Sequence, residues 1–498
     1  MTNKIMQKNS LYNINQTKIS EDKYNTQLTS QSKITRPSDD PVVAIRALRL
    51  RTNVSTATQY YKKNAPDANQ WLDVTAKSLD TMTKVYTNLY TQVETGVNKD
   101  YTASDIQVLL SQIESYTNEV YATGNQDYAG RYIFTGYRTD TPLTFQKEQI
   151  DKVNKTPDYT ITENIKESQL DTINITKHSV FDSVTTAANA TEDLIANYTV
   201  NRIRLSYDEI VDKTGSEPKL RYTDGAGNPQ EFTLQSMDYQ TLINGGISPT
   251  DTVVYYMPET GEIVFSDAMA EVFKNLYAEG SGVTVTYEKN EWDVGDLNPQ
   301  HYFDCTDKGT GIRYNEGGNV ATEIVYDVGY NQTIQVNTNA YEVFDPAVQR
   351  DLDDLKRVVT EFSDIEKIRY DIKDELKKYV EGTPDYINCK KRLDAADKAY
   401  TYIRDAVSKR FGDQITRYQN YLDSTNVAIT KNGTRSTRLE LIEARLEEQQ
   451  STFKELQEEN EGIDMTEVAV LLTAAETTYD AALMATSKIM QNSLINYI

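Results

Sequence analysis

Two histidines and two cysteines are all that the chain offers for most metal or nucleophilic chemistry. His178 and His301 sit far apart among polar residues. A His-based triad would have to recruit one of them. A zinc site takes several Cys or His ligands at close spacing, which this chain does not supply. No metalloprotease helix motif occurs, and no glycine loop ending in Lys-Ser/Thr to cradle phosphate. Cys305 and Cys389 cannot make a disulfide framework. They read as buried thiols, or as one pair. The sequence therefore predicts no catalytic residue, no metal and no cofactor.

The remaining charged constellation is Arg46, Arg49 and Arg51 beside Asp39 and Asp40. It reads either as a solvated helix face or as one half of an ion pair with an acidic neighbour. The whole chain has 498 residues and a net charge of −23. Such a charge repels phosphate backbones and anionic lipid, which argues against nucleic acid and membrane as partners. The N-terminus carries Lys4 and Lys8 but lacks the apolar core of a Sec-type signal peptide. No uninterrupted apolar run reaches the length of a membrane span. The 35 tyrosines instead suit protein–protein contact.

Elements must now be found to carry these residues. Residues 1–123 and 345–498 are helical in composition, and most Gly and Pro fall between about 125 and 340. Two helical ends around a β-rich middle predict that the ends pack together. Asp40 reads as an N-cap with Pro41 in the first helical position. From Val43, steps of four and three give Val43, Ala47, Leu50, Val54, Ala57, Tyr61, Asn64, Ala68, Trp71, Thr75, Ser78, Met82, Val85 and Leu89. That is a heptad seam, with Pro66 expected to kink or split it. Spacing alone fits an ordinary helical bundle equally well.

The stretch Tyr128–Tyr137, with Thr141–Phe145, reads as a β-hairpin or strand pair. Further strands are expected at 252–256, 262–265, 283–287 and 322–326. Helices are expected at 185–197 and 267–279, and a turn at Asn244-Gly245-Gly246. Asp345-Pro346 opens another helix, and charged helical stretches follow over 363–411. Gly433 is expected to break the chain. The last helix starts near Asp464, with Val468, Leu472, Ala475, Tyr479, Ala482, Thr486 and Ile489 at heptad spacing. The first helix is poor in apolar residues, with Leu11, Ile14 and Leu28 among its few. Neither terminal helix can bury much alone. Both ends are therefore expected to become helical only when neighbouring copies cover them.

Several motifs carry a resemblance. They are Ile34-Thr35-Arg36-Pro37-Ser38-Asp39-Asp40-Pro41, Ala44–Arg51, Ala68-Asn69-Gln70-Trp71-Leu72 and Gly130–Gly136. Arg438-Leu439-Glu440, Ala481-Ala482-Leu483 and Ser493-Leu494-Ile495 complete the set. Together they resemble the flagellin family of bacterial flagella, in particular the members at the hook–filament junction. The resemblance covers the first 145 and the last 65 residues, and the combination is more specific than any single piece.

It implies an α+β fold: a long antiparallel helical coiled-coil rod from the terminal helices, with an inserted β-rich outer domain. The implied division is 1–38 with 464–498 as inner terminal helices, 39–145 with 345–463 as helical rod, and 146–344 as outer domain. Export through the flagellum's own type III channel is implied, to an extracellular position. So is a structural role as a junction ring, with no enzymatic activity. The partners implied are further copies of the chain, a neighbouring hook-associated protein, flagellin and an export chaperone.

The assembly interface expected on this basis is Leu11, Ile14, Leu28, Val468, Leu472, Ala475, Tyr479, Ala482, Ile489, Leu494, Ile495 and Ile498. The seam expected inside the rod is Val43, Ala47, Leu50, Val54, Trp71, Met82, Val85 and Leu89. Two alternatives stay open: a bulk filament subunit, or a surface adhesin whose middle domain binds a ligand. A hydrolase in the middle region is disfavoured by the scarcity of His and Cys.

Overall fold

The computed structural model describes residues 3–150, 157–224, 227–320 and 322–495. The fold is α+β. Eleven α-helices are α1 (Asn3–Ser30), α2 (Pro41–Gln59), α3 (Ala65–Gly96), α4 (Ala103–Gly124), α5 (Val184–Ala187), α6 (Tyr239–Gly245), α7 (Asp267–Ala278), α8 (Ala340–Val343), α9 (Ala347–Leu376), α10 (Pro384–Glu461) and α11 (Met465–Ile495). The strands are β1 (Asp127–Tyr128), β2 (Arg131–Tyr132), β3 (Tyr159–Ile165), β4 (Leu170–Lys177), β5 (Ala196–Arg204), β6 (Lys219–Thr223), β7 (Pro229–Phe232), β8 (Leu234–Ser236), β9 (Val254–Met257), β10 (Glu262–Phe265), β11 (Val283–Lys289), β12 (Asp304–Asp307), β13 (Arg313–Tyr314), β14 (Val325–Gly329) and β15 (Gln332–Gln335).

The chain divides into two compact units. The first comprises 1–69, 326–334 and 436–498; the second comprises 70–325 and 335–435.

Asp40 caps α2 as its sequence suggests: its Oδ1 accepts from the N–H groups of Val42 and Val43. Asp39 holds the preceding turn by accepting from the Thr35 and Arg36 N–H groups. Those backbone bonds keep its carboxyl below the usual range. None of the fourteen heptad positions from Val43 to Leu89 is exposed. Pro66 does not split the run. A π-helical turn, Tyr60–Asn64, lies directly upstream, and the Ala65 N–H bonds back to the Tyr60 carbonyl. The wider turn relieves the demand that proline, lacking an N–H, cannot meet. Gly433 does not break the chain either, and α10 runs on through it. A glycine there costs only about 1 kcal/mol of helix propensity, which packing on either side outweighs.

The second unit holds two principal sheets. One has five strands in the order β4-β5-β10-β9-β8, and the other has six in the order β13-β12-β3-β11-β6-β7. The β8–β9 pair is parallel. The expected strand at 262–265 is found as such, and 283–287 extends to Lys289. The strand expected at 322–326 lies later, at β14. The helix expected over 185–197 is only the four-residue α5, and β5 begins at Ala196. Asn244-Gly245-Gly246 turns the chain at the end of α6, with Gly246 at φ +64°. Gly130 turns the β1–β2 hairpin at φ +75°, beside Ala129 at +52°. Phe145 pairs with 295–296 instead of with that hairpin.

The five-stranded sheet is tied to α9 and α10 by a buried ion network. Arg202 on β5 is fully buried. It meets Asp171 of β4 at 2.9 Å and Asp354 of α9 at 2.9 Å, and it also pairs with Glu262 of β10. Arg204 spans Asp354 at 2.8 Å and Asp351 at 2.6 Å. Arg417 of α10 closes on Asp351 at 2.6 Å and Asp171 at 2.9 Å. Burial would raise the pKa of Asp354, but the Arg202 and Arg204 guanidiniums outweigh it and hold the carboxyl well below the ordinary range. The same contest, won by Arg202 and Arg417, depresses Asp171.

Removing one partner of such a network leaves a buried charge unpaired. Asp354→Ala should therefore cost about 3–5 kcal/mol in chemical denaturation. Because both native carboxyls titrate below their unfolded values, their stabilisation is present above about pH 4 and is lost as the pH falls further. Acid titration of the wild type and of Asp354→Ala, followed by near-UV circular dichroism, should show the difference between them narrowing progressively as the pH falls below about 4.

Candidate assembly surface

The first unit is built where the two ends of the chain meet. Ser32 and Gly462 form an antiparallel bridge, and the Lys33 N–H donates to the Glu461 carbonyl at 2.7 Å. Lys33 Nζ reaches the Glu459 carbonyl at 2.8 Å. Gly462 is demanded by close approach: a Cβ there would lie 2.5 Å from the Glu458 carbonyl oxygen. From this joint α1 and α11 pack against each other in antiparallel sense. Arg51 closes the same corner with a bidentate pair onto Glu461, its Nε at 2.9 Å. The partner of Arg51 is thus an acid of its own chain, while Arg46 and Arg49 are exposed.

The helix pair leaves two kinds of face. Val468 and Ala475 are buried, and Leu472, Tyr479, Ala482 and Thr486 are half-buried, at the heptad spacing read from the sequence. On α1 the half-buried positions are Gln7, Ser10, Ile14, Thr17, Glu21, Tyr24, Gln27 and Leu28. Leu11 lies off this line and is 57% exposed. Both ends are helical within one chain, where the sequence suggested that neighbouring copies would have to supply the cover. Ile498 lies outside the described residues, and so do the side chains of Ile489, Leu494 and Ile495.

The outward face is rich in apolar groups that nothing among the described residues covers. Ile5, Met6, Leu11, Tyr12 and Ile19 are exposed on α1. Leu471 and Leu483 are exposed on α11, with Val470 and Met484 at 63% and 69%. Val42, Ile45 and Leu48 form a similar row on α2. Sequence reading chose the seam residues and passed over this second set. The signal was available: between the heptad positions of α11, apolar residues continue around the helix. The segment Met465–Lys488 is in fact long and apolar enough to cross a membrane by length and composition, with only 6% of its most apolar window buried. A count of uninterrupted apolar runs misses it because Thr and Glu are interspersed.

The residues expected to line the rod seam divide between the two units. Ala47 is buried, and Val43, Leu50 and Val54 are half-buried, in the first unit. Trp71, Met82, Val85 and Leu89 are buried in the second. Arg131 stacks over Trp71 at 5.0 Å and over Tyr128 at 5.6 Å, so Gly130–Gly136 packs on α3 through a cation–π contact.

The groups that could have done chemistry are spent on structure. His301 is buried, and its Nε2 lies 3.1 Å from the Pro142 carbonyl. Burial pushes its pKa down to about 4. His178 is tied to the Thr176 carbonyl at 2.9 Å. Cys305 and Cys389 are both buried and both free, so they do not pair. Burial pushes the Cys305 thiol up to about 12. Among the described residues no group of three or more His, Cys, Asp or Glu is placed to hold a metal ion.

The two terminal helices pair with each other and leave an apolar outer face exposed among the described residues. Residues 1–139 match the bacterial flagellin N-terminal helical region. Over 178 residues the chain is 28% identical to flagellar hook-associated protein 3 of Escherichia coli K12, covering 36% of this chain and 55% of that protein. The family resemblance is borne out over residues 1–139, and the chain is similar to flagellar hook-associated protein 3. It spans about half the length of that curated relative.

Two solved structures align over most of their length. A putative flagellar hook-associated protein of Vibrio parahaemolyticus gives 12% identity and a TM-score of 0.34, over 85% of this chain and 100% of that one. Flagellar hook-associated protein 3 of Legionella pneumophila gives 9% and 0.29, over 82% and 98%. At TM-scores this low, superposition adds no structural argument.

The two faces of α11 predict two separable effects. Val470→Asp with Met484→Asp should leave the unfolding free energy within about 0.5 kcal/mol of wild type, as exposed substitutions do. Ala475→Asp buries an unpaired carboxylate and should lower helicity and stability by about 1–3 kcal/mol. Circular dichroism melts of the three proteins would decide.

Proposed function

We propose that the chain is a structural component of the bacterial flagellum, forming a junction ring between hook and filament. The observation that carries this is the uncovered apolar face of α1 and α11 in a chain whose first 139 residues match the flagellin helical region. Copies would associate through helix–helix packing of a head-to-tail, heterologous kind. Burying that face stabilises association by roughly 25 cal/mol per Å² of apolar area.

The apolar residues of the two terminal helices then act in two ways. The seam set, Val468 to Ala482 with Ile14 and Leu28, fixes the helix pair. The outward set contacts the neighbour. The proposed partners are further copies, a neighbouring hook-associated protein, flagellin and an export chaperone. The position is extracellular, reached as an unfolded chain through the flagellar export channel. The division proposed is inner terminal helices at 1–38 and 464–498, a rod at 39–145 and 345–463, and an outer domain at 146–344.

The hydropathy of Met465–Lys488 favours a second reading, insertion into lipid. Glu467, Glu476 and Asp480 on the same helix oppose it, since carboxylates in a bilayer core are costly. Flotation with liposomes separates the two readings, because a flagellar subunit stays with the soluble fraction.

Deleting Leu494–Ile498 should leave a folded, soluble monomer that no longer joins filaments to hooks. Electron microscopy of a strain carrying the deletion reads this directly. Normal filament attachment would end the proposal.

A further inference from the structure

The pairing of α1 with α11 leaves their charges uncommitted. Over Asn3–Ser30, α1 carries four lysines and two acids, a net of +2. Over Met465–Ile495, α11 carries Glu467, Glu476 and Asp480 against Lys488, a net of −2. The two helices pack on each other within the chain. Among the described residues no ion pair joins them, and the Arg51–Glu461 pair at their joint belongs to α2 and α10. The cause is rotation about each helix axis: Lys8 and Lys23 are exposed on α1, and all three acids are exposed on α11. Opposite charges on two touching helices both face away from the seam.

The outward faces also differ in relief. On α1, Ile5, Tyr12 and Ile19 stand at seven-residue spacing and are 49%, 64% and 61% exposed. That spacing stacks them in one ridge, about 21 Å long. Lys8, three residues after Ile5, and Lys23, four after Ile19, share its stripe. On α11 the outward face is an open groove of ≈ 710 Å³, lined by Thr466, Ala469, Val470, Thr473, Ala474 and Thr477. It runs about 17 Å along the helix. Glu476, three residues after Thr473, and Asp480, three after Thr477, stand along one side of it.

We propose that the α1 ridge of one copy seats in the α11 groove of the next, with Lys8 against Glu476 and Asp480. The pairing rests on the junction-ring reading above and names the surfaces that meet in it. Large residues fit a trough of small ones by knobs-into-holes packing, and the cationic side of the ridge meets the anionic side of the groove. A ridge meets a groove rather than a second ridge, so each copy offers both halves and the contact repeats head-to-tail. Neighbours that share one orientation bring α1 and α11 together antiparallel, as they run within one chain. With Tyr12 at Thr473, Lys8 then stands level with Glu476 and Asp480.

The test uses the full chain in isolated flagella. In Tyr12→Cys/Thr473→Cys, oxidation should give a covalent ladder that continues beyond the dimer. The two sites cannot bridge within one chain. Tyr12 lies twenty residues from the Ser32–Gly462 joint and Thr473 eleven, which sets them about 14 Å apart along the helix pair. A disulfide spans at most about 7 Å between Cα atoms. Native Cys305 and Cys389 are buried and stay out of the reaction. Lys8→Glu should lose the ladder, because like charges brought together cost more than an exposed pair contributes. Adding Glu476→Lys and Asp480→Lys should restore it. Ala474→Trp fills the groove at an exposed position and should lose the ladder too. A dimer from Tyr12→Cys alone would report ridge against ridge and overturn the pairing. So would the double variant, found at the junction by labelling, giving no ladder; the junction reading survives that result. Absence of the labelled protein from the flagella removes the junction reading, and the pairing with it.

Discussion

Arg202 carries its charge in a place closed to water, and most of the second unit is arranged around that fact. A buried guanidinium is tolerated only when its donors are met by carboxylates. Those carboxylates come from β4, β10 and α9, elements separated by up to 152 positions from β5. All must be assembled before any is satisfied. The network therefore acts as a registration device between sheet and helices. Its net contribution to stability is modest, because desolvation cancels much of the Coulomb gain. What it penalises is misassembly, since a slipped strand would leave the charge alone. Register on the neighbouring strand is held to the same standard, with Arg202 opposite Asp171 on one side and opposite Val264 on the other.

Among the described residues the first unit has no comparable lock. Its two terminal helices meet along a line in which Ser10, Thr17 and Glu21 alternate with Ile14, Tyr24 and Leu28. Such a seam orders the helices without burying much apolar surface. The better hydrophobes, Ile5, Tyr12 and Ile19 on α1 with Val470 and Met484 on α11, face outward. A monomer would gain by the reverse arrangement. The inversion makes sense for helices that are finished by contact with other molecules, and it explains how a chain with 38% hydrophobic residues can still be lean in its own core.

What the sequence made legible follows from the range over which each interaction acts. The seam from Val43 to Leu89, the Asp40-Pro41 cap and the start of α11 are set by residues within one or two turns, and they could be read directly. Pro66 and Gly433 were over-read, because local breakers are outvoted when flanking turns are well packed. The strands β3, β4 and β5 were missed because their inward positions include Glu163, Thr176 and Arg202, polar residues that hide a period of two. Their partners lie far along the chain, so no local pattern marks them. Leu11 was chosen for its type, although its angle on the helix places it away from α11. Cys305 and Cys389 could not be resolved by count and were settled only by their separate burial.

The charge balance ties the two units to one argument. The chain carries −23. Few charged side chains are fully buried, so nearly all of the acid excess lies on the surface. Copies of such a chain repel one another at distances within the Debye length, about 8 Å at physiological salt. Close association then requires faces where charge is sparse and apolar area is large. Helix α11 fits that description, with three acids and one lysine over Met465–Ile495 and an outer face of Val470, Leu471, Leu483 and Met484. Acid over most of the surface opposes adventitious contact. The terminal helices are left as the region where contact gains more than it costs.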